Sequence, residues 1–138
     1  MKKYEVSRDE MAACAQELLT LPGRVWTFTG TLGTGKTTLV QEMLAQLGVQ
    51  GPIQSPTYTY VSVYQTAQGK TVYHFDLYRL SSYDEFIQAG FDEYLYDEQA
   101  LCFIEWPEIV KQHLPPHSTS VTLEYGSDGN RVVDVVLN

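Results

Sequence analysis

Hydrophobic spacing divides the chain into short alternating elements. Met11, Cys14, Ala15, Leu18 and Leu19 recur at three- and four-residue intervals, the stripe of an amphipathic helix. Ser7 with Glu10 supplies a capping-box opening, and Pro22-Gly23 closes the segment. Arg24-Val25-Trp26-Thr27-Phe28-Thr29 then alternates with period two, as a strand does. Leu39, Val40, Met43, Leu44 and Leu47 return to helical spacing as far as Gly48, a natural helix C-cap. Gly51-Pro52 opens a loop, followed by strand-like runs at 58–64 and 71–78 around a turn at Gln68-Gly69, a predicted antiparallel hairpin. Ser82 with Glu85 predicts the cap of a short helix, and 91–96 predicts another. The continuous apolar run 101–104 predicts a strand buried on both faces, and Pro107 suits the first turn of a helix reaching about Leu114. Runs at 121–125 and 132–137 predict a closing hairpin around Asp128-Gly129. Residues 1–138 thus read as one α/β domain whose mixed, partly antiparallel sheet is flanked by helices.

Composition adds limits to that picture. A chain of 138 residues, 43% hydrophobic and 12% aromatic, is long enough and apolar enough to bury a core. No apolar run approaches the ~20 residues of a membrane span, and Met1-Lys2-Lys3-Tyr4-Glu5 leads into an acid-bearing amphipathic segment rather than a signal peptide. The two cysteines, Cys14 and Cys102, fall in apolar stretches and read as buried thiols, which suits a reducing cytoplasm. A net charge of −8 argues against a broad nucleic-acid surface. Positions 80–110 hold no Lys or Arg but eight acids, among them Asp84, Glu85, Asp92 and Glu93. That stretch reads either as a solvated face or as a docking face for a basic partner.

The chemistry enters between the first long strand and its helix. Gly30-Thr31-Leu32-Gly33-Thr34-Gly35-Lys36-Thr37 is a complete G-x-x-x-x-G-K-[ST] phosphate-binding loop. Its glycines let successive backbone N–H groups turn toward one anion, and the helix N-terminus behind them adds partial positive charge. Lys36 can reach the β- and γ-phosphates, and the Thr37 hydroxyl can bind Mg²⁺. Gly30, Gly33, Thr34, Gly35, Lys36, Thr37 and Thr38 are therefore expected to hold ATP or ADP with Mg²⁺. A Gly-rich turn matching by chance is the competing reading, and the flanking strand and helix argue against it.

Turnover needs a metal site and a positioned water besides. Leu101-Cys102-Phe103-Ile104 leads directly into Glu105, like a Walker-B strand with Glu in place of Asp. Glu105 would hold Mg²⁺ or orient the water, unless it is a strand-end acid in solvent or paired with an Arg. In His74-Phe75-Asp76-Leu77-Tyr78-Arg79, alternation puts His74, Asp76 and Tyr78 on one strand face. Asp76 among apolar neighbours must find a metal, a donor or a cation, and Arg79 could be that cation. His74 reads as a hydrogen-bonded structural residue, and Arg79 as a phosphate cation or an ion-pair partner. Ser55-Pro56-Thr57 could place Thr57 over the metal and γ-phosphate, or could simply enter the strand. Trp106 could cover the site, anchor a partner, or pack as a buried tryptophan.

The loop, Ser-Pro-Thr-Tyr, His-Phe-Asp-Leu-Tyr-Arg and Ile-Glu-Trp-Pro, in that order, resemble the TsaE (YjeE) family of P-loop ATPases of tRNA threonylcarbamoyladenosine biosynthesis. The similarity runs from about Gly30 through Pro107. It implies a P-loop NTPase-like fold and Mg-ATP hydrolysis. With few basic residues to form an arginine clamp in cis, turnover is expected to be slow alone and stimulated by partners. The implied partners are two threonylcarbamoyl-transfer proteins of the TsaB and TsaD type, which modify the adenosine beside the anticodon; tRNA would be met only through the complex. By motif, Lys36 contacts phosphate, Thr37, Asp76 and Glu105 serve the metal, and Lys36, Asp76 and Glu105 carry catalysis. Thr57 falls in the switch-like segment and Trp106 in the family's Glu-Trp pair. Thr31 stands where the family often has Asp, and Thr34 where it often has Ala.

Other classes fit less well. A small-molecule kinase usually needs an Arg-bearing lid, and nine basic residues leave little for one. A GTPase would show Asn-Lys-x-Asp and Asp-x-x-Gly, which are absent. A nucleotide-gated binding module that barely hydrolyses remains a consistent alternative.

Overall fold

Residues 2–53 and 59–138 are described by a computed structural model, in which one seven-stranded sheet runs in the order β1-β7-β6-β2-β5-β4-β3. The strands are β1 (Lys2–Val6), β2 (Val25–Gly30), β3 (Val61–Gln65), β4 (Thr71–Asp76), β5 (Leu101–Glu105), β6 (Thr119–Tyr125) and β7 (Arg131–Leu137). The helices are α1 (Met11–Leu18), α2 (Lys36–Gln46), α3 (Tyr83–Gln88) and α4 (Phe91–Leu95). The four central strands are mutually parallel: β2 pairs with β6 and β5, and β5 with β4. Antiparallel pairs complete both margins, β3 on β4 at one side and β6–β7–β1 at the other.

Period-two alternation sorts the strand residues into two cores, one on each face of the sheet. Phe28, Val72, Phe103, Val121 and Leu123 join Met11, Cys14 and Leu18 of α1 and Leu39, Val40, Met43 and Leu44 of α2. Phe75, Cys102 and Ile104, one residue along, join Phe86 of α3, Phe91 and Leu95 of α4, and Val110. Phe103 meets Trp26 and Phe28 edge-on, with centroids 6.3 and 5.9 Å apart. Cys14 and Cys102 are free, buried thiols. Burial pushes the Cys14 thiol up to about 11 and the Cys102 thiol to about 12. Among the described residues, no helix is long and apolar enough to cross a membrane.

Three differences from the sequence reading have physical causes. Lys2–Val6 is a strand although its pattern gave no sign of one. It is an edge strand with mostly exposed side chains, registered only by its pairing with Arg131–Val135 of β7. β4 stops at Asp76 rather than running on to 78. Asp76 is therefore a strand-terminal residue, and Tyr78 does not extend the strand face. There the Tyr78 N–H turns back onto Asp76 Oδ1 at 3.1 Å, a local turn that competes with the ladder. The segment opened by Pro107 is a run of 3₁₀ turns over Pro107–His113 rather than an α-helix. The hairpin start at 58 lies outside the described residues, and β3 itself begins at Val61.

Candidate functional site

Parallel registration puts the ends of β5 and β4 side by side, Glu105 opposite Asp76, with Glu105 also opposite Phe28 of β2, two residues before Gly30. From Gly30 the chain turns into the phosphate loop and then α2. Gly30 has φ 144°, and a Cβ there would stand 2.2 Å from the Leu123 carbonyl oxygen of β6, so a side chain cannot enter. Gly35, with φ 99°, caps α2 in a left-handed conformation that turns the loop into the helix.

Lys36 opens α2 with its side chain folded over the loop. Its Nζ donates to the Gly30 carbonyl at 2.6 Å and stands 3.5 Å from the centroid of the Trp106 ring. Burial pulls the Lys36 ammonium below the usual lysine range, while Glu105, Glu108 and Asp76 act in the opposite direction. One residue on, the Thr37 hydroxyl donates to Glu105 Oε1 at 2.7 Å. Glu105 Oε2 lies 2.6 Å from His74 Nε2, and both His74 and Glu105 are buried. Asp76 is half-buried; desolvation raises its carboxyl pKa, the Tyr78 N–H bond lowers it and the neighbouring Glu105 charge raises it further. Lys36, Thr37, Asp76 and Glu105 line an open cavity of about 450 Å³ with Gly33, Gly35, Thr38, Tyr78 and Arg79; His74 lies behind Glu105 and outside that lining.

Trp106 directly follows Glu105 with φ 56° and ψ 61°, a left-handed backbone strained for a bulky residue. That conformation turns the indole over Lys36, where Tyr78 packs against it with centroids 4.8 Å apart. Trp106 is half-buried at the cavity wall.

The expected residues do not all meet in one place. Thr34 is turned into the loop, its hydroxyl donating to the Thr31 carbonyl at 2.7 Å. It lines a second recess of about 320 Å³ with Arg8, Met11, Gly33, Gly35, Thr38 and Arg131. Gly30 contributes its carbonyl to Lys36 rather than a wall to the main cavity. Thr57 lies outside the described residues. Sequence reasoning missed Arg131, whose Nε donates to the Thr34 carbonyl at 3.1 Å and whose Nη1 donates to the Gly129 carbonyl at 2.8 Å. Its guanidinium lies 4.6 Å from the Tyr125 ring, so the last hairpin braces the loop. A lone Arg at a strand start carries no local signal of that role.

The donor set suits Mg²⁺. Thr37, Glu105 and Asp76 offer hard oxygens, with no thiol among them. Among the described residues no three or more His, Cys, Asp or Glu side chains form a metal cage. Mg²⁺ needs no such cage, because it is commonly bound through one or two carboxylates together with substrate phosphates.

Residues 6–133 match the family described as "Threonylcarbamoyl adenosine biosynthesis protein TsaE". The chain belongs to the TsaE family. It is 43% identical over 103 residues to the tRNA threonylcarbamoyladenosine biosynthesis protein TsaE of Haemophilus influenzae, covering 75% of this chain and 64% of that one. It is 39% identical over 113 residues to the TsaE protein of Treponema pallidum, covering 82% of each. The fold is similar to that in the crystal structure of Bacillus subtilis YdiB, with a TM-score of 0.72 at 25% identity over 99% of this chain and 86% of that one. The TsaE resemblance read from four short motifs therefore extends across nearly the whole chain.

Proposed function

We propose that this chain is a Mg²⁺-dependent ATPase acting with partner proteins in threonylcarbamoyl modification of the tRNA adenosine next to the anticodon. The observation that carries the reading is the Thr37–Glu105 hydrogen bond, 2.7 Å long, at the mouth of a phosphate loop whose lysine faces the same cavity. It joins the two side chains that a P-loop nucleotide site asks to serve the metal, one from α2 and one from the end of β5. Thr37, Asp76 and Glu105 would hold Mg²⁺, which would supply positive charge against the phosphates.

The chain's own groups divide the remaining work. Backbone N–H groups of the loop and the start of α2 cradle phosphate. Lys36 exchanges the Gly30 carbonyl for phosphate oxygens, and Trp106 screens that ammonium from water. Asp76 and Glu105 hold the metal, directly or through water, or orient the attacking water. Because Lys36 already has two partners, reaching phosphate requires a local rearrangement, and this gives partner docking a place to act. The pathway rests on membership of the TsaE family and on the names of its relatives; the TsaB- and TsaD-type partners rest on the motif resemblance alone.

The test is phosphate release from ATP with and without Mg²⁺, by the chain alone and with the two partner proteins. Complex formation is compared with ATP, with ADP and without nucleotide. Mg²⁺-dependent release that rises with partners supports the reading. Equal turnover and equal association under every condition would leave a self-sufficient ATPase, and no release at all a passive binding module.

A further inference from the structure

His74 sits mid-strand on β4, between Ser62 of β3 and Phe103 of β5 in register, and is wholly buried. It shares the α2-facing side of the sheet with Val72 and Phe103, at the alternation that also carries Glu105. The 2.6 Å contact pairs His74 Nε2 with Glu105 Oε2, and a carboxylate oxygen accepts the Nε2–H. His74 Nδ1 has no hydrogen-bond partner among the described residues. Among the described residues a proton on Nδ1 would find no acceptor, so the tautomer that fits carries its proton on Nε2. Glu105 is thereby gripped twice, Oε2 by β4 and Oε1 by the Thr37 hydroxyl of α2. With the Thr37 bond alone, the carboxylate could rotate about its last torsion, which is broad and roughly two-fold. The second donor removes that freedom.

We propose that His74 is a positioning residue that locks the Glu105 carboxylate in the orientation its metal role requires. The inference rests on the Mg²⁺–nucleotide reading above. It goes further in assigning His74 a geometric task within the site rather than a place in the core. Three substitutions separate those roles. His74→Gln puts an amide N–H where Nε2 stands and an acceptor in place of the bare nitrogen. His74→Asn places its amide nearer Nδ1, out of reach of Glu105. His74→Leu fills the volume and offers no donor.

The experiment uses the full chain with a non-hydrolysable ATP analogue as probe. The analogue's affinity is measured in a Mg²⁺ titration and in excess chelator, together with ATP phosphate release and thermal stability. In His74→Leu the Mg²⁺ concentration for half-maximal tight binding should rise about ten-fold or more, the usual effect of removing a hydrogen-bond partner from a metal ligand. Phosphate release should fall, while affinity in chelator stays at the wild-type value. His74→Gln should restore most of both losses and His74→Asn neither. Nitrogen-15 NMR of the wild-type imidazole should report the Nε2–H tautomer, a readout that does not depend on any variant folding. Wild-type Mg²⁺ dependence in His74→Leu, no rescue by Gln, or an Nδ1–H tautomer would each overturn the proposal. A wild-type chain that fails to bind the analogue with Mg²⁺ would overturn the parent reading and this inference together. Normal wild-type binding with an indifferent His74→Leu would overturn this inference alone.

Discussion

Single side chains in the cavity carry separable jobs. Lys36 donates to Gly30 and faces the cavity rather than either core, so Lys36→Ala should leave the fold intact. Removing one donor aimed at developing charge costs about 100-fold or more in turnover, so phosphate release should nearly vanish while circular dichroism and melting stay close to wild type. Asp76 gives a pH signature. Its carboxyl is raised above the ordinary 3.8, chiefly by desolvation, so the folded state holds that proton more tightly than the unfolded chain does. The ionised form therefore destabilises the fold once pH rises through that window, and no penalty exists below the ordinary value. In Mg²⁺-free buffer without nucleotide, Asp76→Asn should melt above wild type near neutral pH, and the gap should close as pH falls toward 3.8. Its phosphate release should nevertheless be impaired. A lower melting temperature with unchanged activity per folded molecule would make Asp76 a structural acid. Trp106 pulls the same two ways, since its left-handed backbone would suit glycine while its ring covers Lys36.

Elements converge on the loop from two sides, and only one side was visible in the sequence. The strand before the loop, the helix after it and the apolar run into Glu105 announce themselves through period and motif. The bonds joining Thr37, Glu105 and His74 do not, because they depend on strand order and register, which the motifs do not encode. The Arg131 brace was hidden for the same reason, its contact with Thr34 spanning 97 residues. β1 was hidden because a short edge strand with exposed side chains has no amphipathic pattern of its own. The brace gives a prediction. Arg131→Ala should keep the sheet but loosen the loop, weakening ATP binding by about ten-fold, the worth of one charge-assisted hydrogen bond. Isothermal titration of ATP against both proteins measures it, and equal affinities would make Arg131 a surface residue only. Within β5, Phe103→Ala removes a fully buried ring packed on Trp26 and Phe28. A loss of about 3–5 kcal/mol in denaturant titration is expected.

At the scale of the molecule, charge and topology set the behaviour. A net charge of −8 gives the chain few cations with which to displace counterions from a phosphate backbone. Isolated chain should therefore shift tRNA poorly in a mobility assay, and tight, salt-sensitive binding would contradict the view that partners make the RNA contacts. Topology has a temporal consequence. β2 carries the phosphate loop, yet it pairs on one side with residues 102–105 and on the other with 119–123, all later in the chain. On a growing polypeptide the loop is made early and anchored late, after long segments have been closed against entropy. Residues that would grip phosphate are made before the strands that form the floor beneath them. Nucleotide can then act as a final clasp, adding stability in proportion to the logarithm of its concentration over its dissociation constant, and only to chains that have already brought β5 and β6 home.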